Sequence, residues 1–247
     1  MTMVQQQIDS MRVDVKALNN AIPDFSLQAD MGRSNFAAQY LESSGIKLGS
    51  ASAVLSSDSL LTLNSTVTNI VSGSTRIDTV RLNAIQHGEY LVYHASMDNR
   101  PGTFDDFAHV TLNGFAGFNR ASVFFKQKNI KGEKGFNLGM NADIADSIVT
   151  VRLVPVKPTI AYKPWTLNKD NFISFDLTNK HLDANLKLSG DNSFIRIFTA
   201  HEEAHHVNDS TDTIHKHYSG SQEDLKVQIS RIRIQDWLSI NPFAPPV

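Results

Sequence analysis

The stretch SIVTVRLVPVKPTIAYKPWTLNKDNFISFD, residues 147–176, decides how the rest of the chain is interpreted. It begins with β-branched and polar residues in alternation, a pattern typical of a strand with one dry face. Pro155 and Pro158 then interrupt ladder pairing, because proline has no N–H to donate. An aromatic corner around Trp165 follows, and a second strand pattern begins at Ile173. The stretch therefore predicts a junction between two β segments.

Composition excludes several kinds of function. The 247 residues are 41 % hydrophobic and 19 % charged, with a net charge of −2 and no basic block, so nothing supports electrostatic binding of nucleic acid. The absence of cysteine excludes disulfides, thiolate metal ligands and a cysteine nucleophile. We find no signal-peptide pattern and no apolar run of the ~18–20 residues that a membrane helix needs. We expect an internal piece of a longer protein.

Two short segments near the start carry the expectations about local structure. One helix is predicted over residues 34–44, with Ser34 as its cap and Gly45 as its stop. Its expected apolar face consists of Phe36, Ala37, Tyr40 and Leu41. Before it, residues 12–17 alternate polar and apolar side chains with a period of two, which predicts a strand.

The remaining chain reads as strands and turns, about 14–16 strands in all. The motif Val-x-Leu-Asn occurs at residues 80–83 and again at 110–113, which suggests either a loose hairpin repeat or two ordinary hairpins of similar sequence. A sheet of about 15 strands would extend some 70 Å at ~4.8 Å per strand, and open sheets rarely exceed ~10 strands without curling or splitting. Two architectures are therefore expected as alternatives: a curled sheet around an apolar groove, or a packed sandwich.

Several segments carry a resemblance to a known family. The run at residues 145–154, the Lys163-Pro164-Trp165 corner with Asn168 and Asn171, the segment DWLSINPF at 236–243, and LQADMG at 27–32 with the following helix are involved. Together they resemble the long AsmA-like, TamB-type translocation and assembly module proteins of Bacteroidetes. The resemblance covers most of the chain, but it does not include the polar insert at residues 200–223.

The resemblance implies a fold and a function. The expected fold is mainly β: an elongated, curled antiparallel sheet, or β-taco, of many short strands with one or two short helices. It implies one β-rich segment, 1–247, with a possible division into 1–156 and 157–247. It also implies a periplasmic location, an inner-membrane anchor outside this segment, phospholipid transport to the outer membrane and a role with the outer-membrane assembly machinery. Such proteins are not enzymes, and no cofactor is expected.

An apolar groove of this kind would bind the acyl chains of phospholipid, because each buried CH₂ contributes ~0.8 kcal/mol. We expect its lining on the stronger apolar face of each strand, although an error of one residue in register would reverse a placement. The predicted lining residues are Phe124, Phe136, Val151, Leu153, Phe175, Leu186 and Ile197.

A competing motif lies in the polar insert. His201-Glu202-Glu203-Ala204-His205 matches H-E-x-x-H, in which two histidines bind zinc and the glutamate activates water. Its context argues against a metalloprotease, because Asn208 and Thr211 occupy the glycine and third-histidine positions of the longer form. We therefore predict a solvated loop and no metal site. A zinc hydrolase and a closed β-sandwich binding module remain the alternative functions.

Overall fold

The computed structural model describes residues 14–32, 34–103, 105–200 and 224–232. Two helices, α1 (Val15–Ala21) and α2 (Phe36–Ser43), and a 3-10 turn at Asp105–Phe107 accompany sixteen strands. The strands are β1 Ser26–Gly32, β2 Ile46–Lys47, β3 Ser50–Ser56, β4 Thr62–Ser72, β5 Thr75–His87, β6 Tyr90–Asp98, β7 His109–Gly117, β8 Arg120–Lys128, β9 Lys134–Ala145, β10 Ile148–Ile160, β11 Lys163–Pro164, β12 Thr166–Leu167, β13 Phe172–Asp176, β14 Leu182–Gly190, β15 Ser193–Ala200 and β16 Asp224–Ser230.

All sixteen strands belong to one antiparallel sheet that does not close into a barrel. Thirteen of them follow the order β1-β3-β4-β5-β6-β7-β8-β9-β10-β13-β14-β15-β16, so nearly every strand pairs with its neighbour in sequence. The mainly β fold with an open, curled sheet and two short helices is confirmed. The possible division after residue 156 falls inside β10, a strand of this same sheet.

The register sorts the side chains of the sheet into two faces, because residues directly opposite each other in an antiparallel pair point to the same side. We call the first the apolar face. One of its rows crosses seven strands as Leu63, Ala84, Tyr93, Gly114, Val123, Met140 and Leu153. We call the other the polar face, and its neighbouring row is Asn64, Asn83, His94, Asn113, Phe124, Gly139 and Val154.

The densest packing lies where the sequence predicts the junction. Among the described residues, Trp165 belongs to a cluster of buried apolar side chains, and the other buried hydrophobic residues are one valine and four alanines. The members of this Trp165 cluster are Ile160, Trp165, Leu167, Leu186 and Leu188. A single sheet has no second layer to cover its face, so burial is concentrated where the chain folds back on itself.

The junction itself is part of the sheet. The pairing of β9 with β10 shifts register between Val154 and Thr159, so the two prolines produce an irregularity within β10 rather than its end. The chain then reverses at Ala161 and Tyr162, whose φ values of +59° and +60° fit a tight hairpin turn. β11 pairs with β10, and β12 pairs with β14. β13 pairs with β10 on one side and with β14 on the other. These three short strands therefore lie together between β10 and β14.

Two asparagine side chains between β12 and β13 form hydrogen bonds to the backbones of β10 and β14. The Asn171 amide oxygen accepts a hydrogen bond from the Leu153 N–H at 2.7 Å, and its amide nitrogen donates to the Leu153 carbonyl at 3.2 Å. Asn168 contacts two residues of β14: its side-chain oxygen accepts from the Lys187 N–H at 2.7 Å, and its amide nitrogen donates to the Asn185 carbonyl at 3.0 Å. These amides replace the ladder hydrogen bonds that a continuous strand would have made.

The two expectations for the first segments are corrected. Residues 12–17 were expected to form a strand, but the described part begins helix α1, where the Asp14 carboxylate caps the Ala17 N–H at 2.8 Å. Helix α2 is capped by Asn35 rather than Ser34. Its expected apolar face is also wrong: Phe36 is 82 % exposed and Tyr40 65 % exposed, while Ala38 is buried.

Replacing Asn171 with alanine should destabilise the fold by about 2–3 kcal/mol. The change leaves the Leu153 N–H and carbonyl of a part-buried strand without partners, and each such group carries a desolvation penalty. Urea unfolding followed by circular dichroism measures the loss. Asn141→Ala is the matched control, because this asparagine is exposed on β9 and its loss should cost below about 0.5 kcal/mol. Equal midpoints for the two variants would contradict this account of the junction.

Candidate functional site

The apolar face is the most extensive feature that could bind a ligand. The register carries it across all thirteen strands of the main order, with only scattered polar positions such as Ser65 and Gln127. Many of its large side chains remain open to solvent, which is unusual over such an area for a soluble domain. The exposed members are Leu27, Leu82, Met140, Leu225, Val227 and Ile229.

Burial along single strands agrees with this assignment. In β3, Ala51, Ala53 and Leu55 are half-buried, whereas the polar-face residues Ser52 and Val54 between them are exposed. β6 repeats the pattern around exposed His94. The inner side of a curled sheet is shielded by its own curvature, so partial burial of one face fits a sheet curled around its apolar side.

Six of the seven predicted lining residues share the apolar face. Val151 lies opposite Ile173, and Leu186 lies opposite Ile197. Leu186 belongs to the Trp165 cluster, and three of the others pack against that cluster. The structure thus brings together much of the predicted set, whose apolar-face members are Phe136, Val151, Leu153, Phe175, Leu186 and Ile197.

Phe124 is placed on the opposite side and needs correction. It pairs with Asn113 and Gly139 on the polar face, where the Lys126 ammonium lies 5.2 Å from the centre of its ring. Phe125 takes the apolar-face position instead, with its ring centre 5.9 Å from that of Phe136. The sequence contains the deciding signal, because a residue two positions from Lys126 shares its face.

A second candidate is the polar cluster around Asp78. The Arg100 guanidinium contacts this buried carboxylate at 2.9 and 3.1 Å, and the Arg100 backbone N–H also donates to it at 2.7 Å. These hydrogen bonds from Arg100 lower the pKa of Asp78 from 3.8 to about 2. Asn99 completes the cluster by accepting from the Asp78 N–H at 2.9 Å. The contacts join the start of β5 to the end of β6, so the cluster is a structural clamp.

The zinc alternative lies outside the part of the chain that the structure describes, since His201, Glu202 and His205 fall in residues 201–223. Within the described ranges, no group of three histidine, cysteine or acidic side chains is placed to hold a metal ion. No helix there is long and apolar enough to cross a membrane.

Comparisons with protein-family models, curated proteins and solved structures give no match for this chain. The resemblance to the translocation and assembly module family therefore stays a prediction, as do the periplasmic location and the membrane anchor that it implies.

The Asp78 clamp should make stability depend on pH in acid. Because the folded pKa is below the unfolded one, the stabilisation is present above pH 4 and is lost as the pH falls from about 4 to about 2. We expect Asp78→Asn to lower the free energy of unfolding by about 1–2 kcal/mol at pH 7. This is less than the full pKa shift would give, because solvent screens the exposed Arg100 guanidinium. Urea midpoints of both proteins between pH 2 and pH 7 give the difference.

That difference should shrink towards zero at pH 2, where the wild-type carboxyl is partly protonated and its bond to Arg100 is weakened. Asp58→Asn serves as the control, because Asp58 is an exposed carboxylate in the turn between β3 and β4. A difference between wild type and Asp78→Asn that stayed constant across this pH range would show that the clamp is not electrostatic.

Proposed function

We propose that this chain binds the acyl chains of phospholipid on its apolar face, as a segment of a TamB-type protein that carries lipid across the periplasm. The observation that supports the proposal is the continuous apolar face of the open sheet, whose large side chains stay partly exposed. The face spans roughly 58 Å across its strands at ~4.8 Å per spacing. No catalytic residue is needed for this function.

The chemistry of the face suits acyl chains. Its residues are aliphatic and aromatic side chains without a fixed pattern of hydrogen-bonding groups, so it offers burial but little directional recognition. Burial is worth ~0.8 kcal/mol per CH₂, and an acyl chain with a dozen buried carbons would gain roughly 10 kcal/mol before the costs of ordering. Such a surface selects for length and flexibility rather than for one molecule.

The wider role follows from the same proposal. A parent protein anchored in the inner membrane would present the face to lipid in the periplasm, and the outer-membrane assembly machinery is its expected partner. The two alternatives have less support. A closed sandwich requires two packed sheets, whereas the described strands form one sheet, and the zinc hydrolase rests on the insert outside the described ranges.

Met140→Asp should lower phospholipid binding at least fivefold. Met140 lies on the apolar face of β9 between Val123 and Leu153, and a charge there would have to be desolvated by an acyl chain. Because Met140 is 42 % exposed, the folded protein should tolerate the change. Native mass spectrometry of protein incubated with dioleoyl-phosphatidylethanolamine and then freed of excess lipid measures the bound fraction.

Asn141→Asp is the matched control, because it adds the same charge to the next residue of β9 on the polar face. It should bind lipid as the wild type does. Equal binding by the two aspartate variants would argue against the apolar face as the site, and a wild-type chain that retains no phospholipid would remove the proposal.

A further inference from the structure

A cavity of about 400 Å³ lies between helix α2 and the ends of β4 and β5 that their turn joins. Its volume is within the range of about 300–1,000 Å³ that is usual for sites of small ligands. Three of its lining side chains are apolar, and they belong to Ala38 of α2, Leu48 after β2 and Val71 of β4. Within the described ranges, the lining shares no residue with the row of the apolar face from Leu63 to Leu153.

A local break in the sheet makes room for this cavity. The pairing of β4 with β5 includes Thr68 and Ile70 but skips Asn69 between them. Asn69 has a φ of +50°, in the left-handed region that asparagine adopts more readily than most residues. On its other side, β4 changes partner from β3 to β2 after Thr68. In the connection between β2 and β3, a Cβ on Gly49 would lie 2.8 Å from the Asn69 amide nitrogen. The cavity lies at this break, and both residues line it.

The charged residues described around the cavity have an excess of one positive charge. Glu42 and Lys47 line it and pair with each other at 3.0 Å. Asp78 is held by its clamp to Arg100. The Arg76 Nε lies 3.6 Å from an Asp78 oxygen, which is too long for a hydrogen bond. Two carboxylates therefore face three cations, and Arg76 is the cation without a carboxylate of its own.

Arg76 and Asn69 bring hydrogen-bond donors to the cavity, which both of them line. In the part of the chain that the structure describes, neither side chain makes a hydrogen bond. The Arg76 side chain is half exposed, so a ligand can reach its guanidinium. A guanidinium presents parallel N–H groups that match the two oxygens of a carboxylate. The donors of the cavity therefore suit a planar anion.

The surroundings favour an anion with a single charge and a short apolar part. A phosphate dianion would bring its second charge near Glu42 and Asp78, with no cation left among the described lining residues to balance it. A carboxylate brings only the charge that Arg76 balances. Leu48 and Val71 are half-buried, and they give a short hydrocarbon chain apolar side chains to pack against.

We propose that this cavity binds a small organic carboxylate, whose oxygens accept hydrogen bonds from Arg76 and whose hydrocarbon chain packs against Leu48 and Val71. The ligand class is that of short-chain fatty acids and similar monocarboxylates. This is a second binding activity, and it does not depend on phospholipid binding by the apolar face. One charge-assisted contact and a few buried CH₂ groups correspond to a Kd of about 0.1–1 mM.

Titration of the ¹⁵N-labelled chain with sodium hexanoate, followed by two-dimensional amide spectra, tests the proposal and locates the ligand. The backbone amides of Leu48, Gly49, Asn69 and Val71 should shift in a saturable way. Hexanamide has nearly the same shape but no charge. It should bind more weakly than hexanoate by about tenfold or more, because it cannot form the charge-assisted pair with Arg76.

Arg76→Gln should weaken hexanoate binding by about tenfold or more, because it removes both the charge and the paired N–H groups. Arg76→Lys keeps the charge without the planar fork, so its loss of affinity should be smaller. Arg81→Gln is the matched control, because Arg81 is also on β5 and its side chain is 48 % exposed, as is that of Arg76. This control should bind hexanoate as the wild type does, and urea midpoints check that each variant is folded.

The other outcomes overturn the inference, and each does so for a stated reason. Amides around the cavity that do not shift with hexanoate would show that the site does not bind it, and equal binding of hexanamide would show that the charge is not recognised. Equal losses in Arg76→Gln and Arg81→Gln would show a general effect of charge. Inorganic phosphate that shifts the same amides at lower concentration would show a phosphate site instead.

One outcome also separates this inference from the proposed function. If hexanoate shifted only amides of the apolar face, such as that of Met140, the cavity site would fail while acyl-chain binding would gain support. If hexanoate shifted the cavity amides in a chain that retains no phospholipid, the cavity site would stand and the proposed function would fail.

Discussion

The side-chain period of two, held in register from strand to strand, is the constraint on which this structure depends. From β4 to β10 one row of pairings places apolar residues opposite one another, from Leu63 through Tyr93 and Val123 to Leu153. A slip of one residue in any strand would bring the polar row into the apolar face. The register shifts between β8 and β9 and between β9 and β10 lie towards the ends of β8 and β10.

A single curled sheet must find its stability without a second layer. Ladder hydrogen bonds and neighbouring side chains supply most of the contacts, and the Trp165 cluster is the place where buried apolar side chains accumulate. This explains why the junction uses Asn168 and Asn171 so heavily: a break in the ladder there would expose backbone groups beside the best-packed region. Because no second layer covers the sheet, the rest of the apolar face stays open to solvent.

The sequence predicted the fold class and much of the face because alternation is a local property of each strand. It failed where a side chain competes with that alternation. Asp14 caps a helix in a segment whose alternation is typical of a strand. Phe124 and Phe125 are adjacent aromatic residues, and only Phe125 lies on the apolar face. The contacts that join the β8–β9 hairpin to the turn after β10 could not be predicted, because Tyr162 is far in the chain from its partners Gly135 and Gln127.

The apolar face has a similar composition from strand to strand, and this similarity would affect how a bound lipid moves along it. Successive strands present similar aliphatic residues, such as Leu82, Ala95 and Leu112 in one row, so an acyl chain that shifts by one strand spacing exchanges one set of contacts for an equivalent set. Burial is non-directional, and no hydrogen bond has to break for the step. If the binding free energy of an acyl chain is large but changes little from one strand to the next, the chain can slide along the sheet without dissociating.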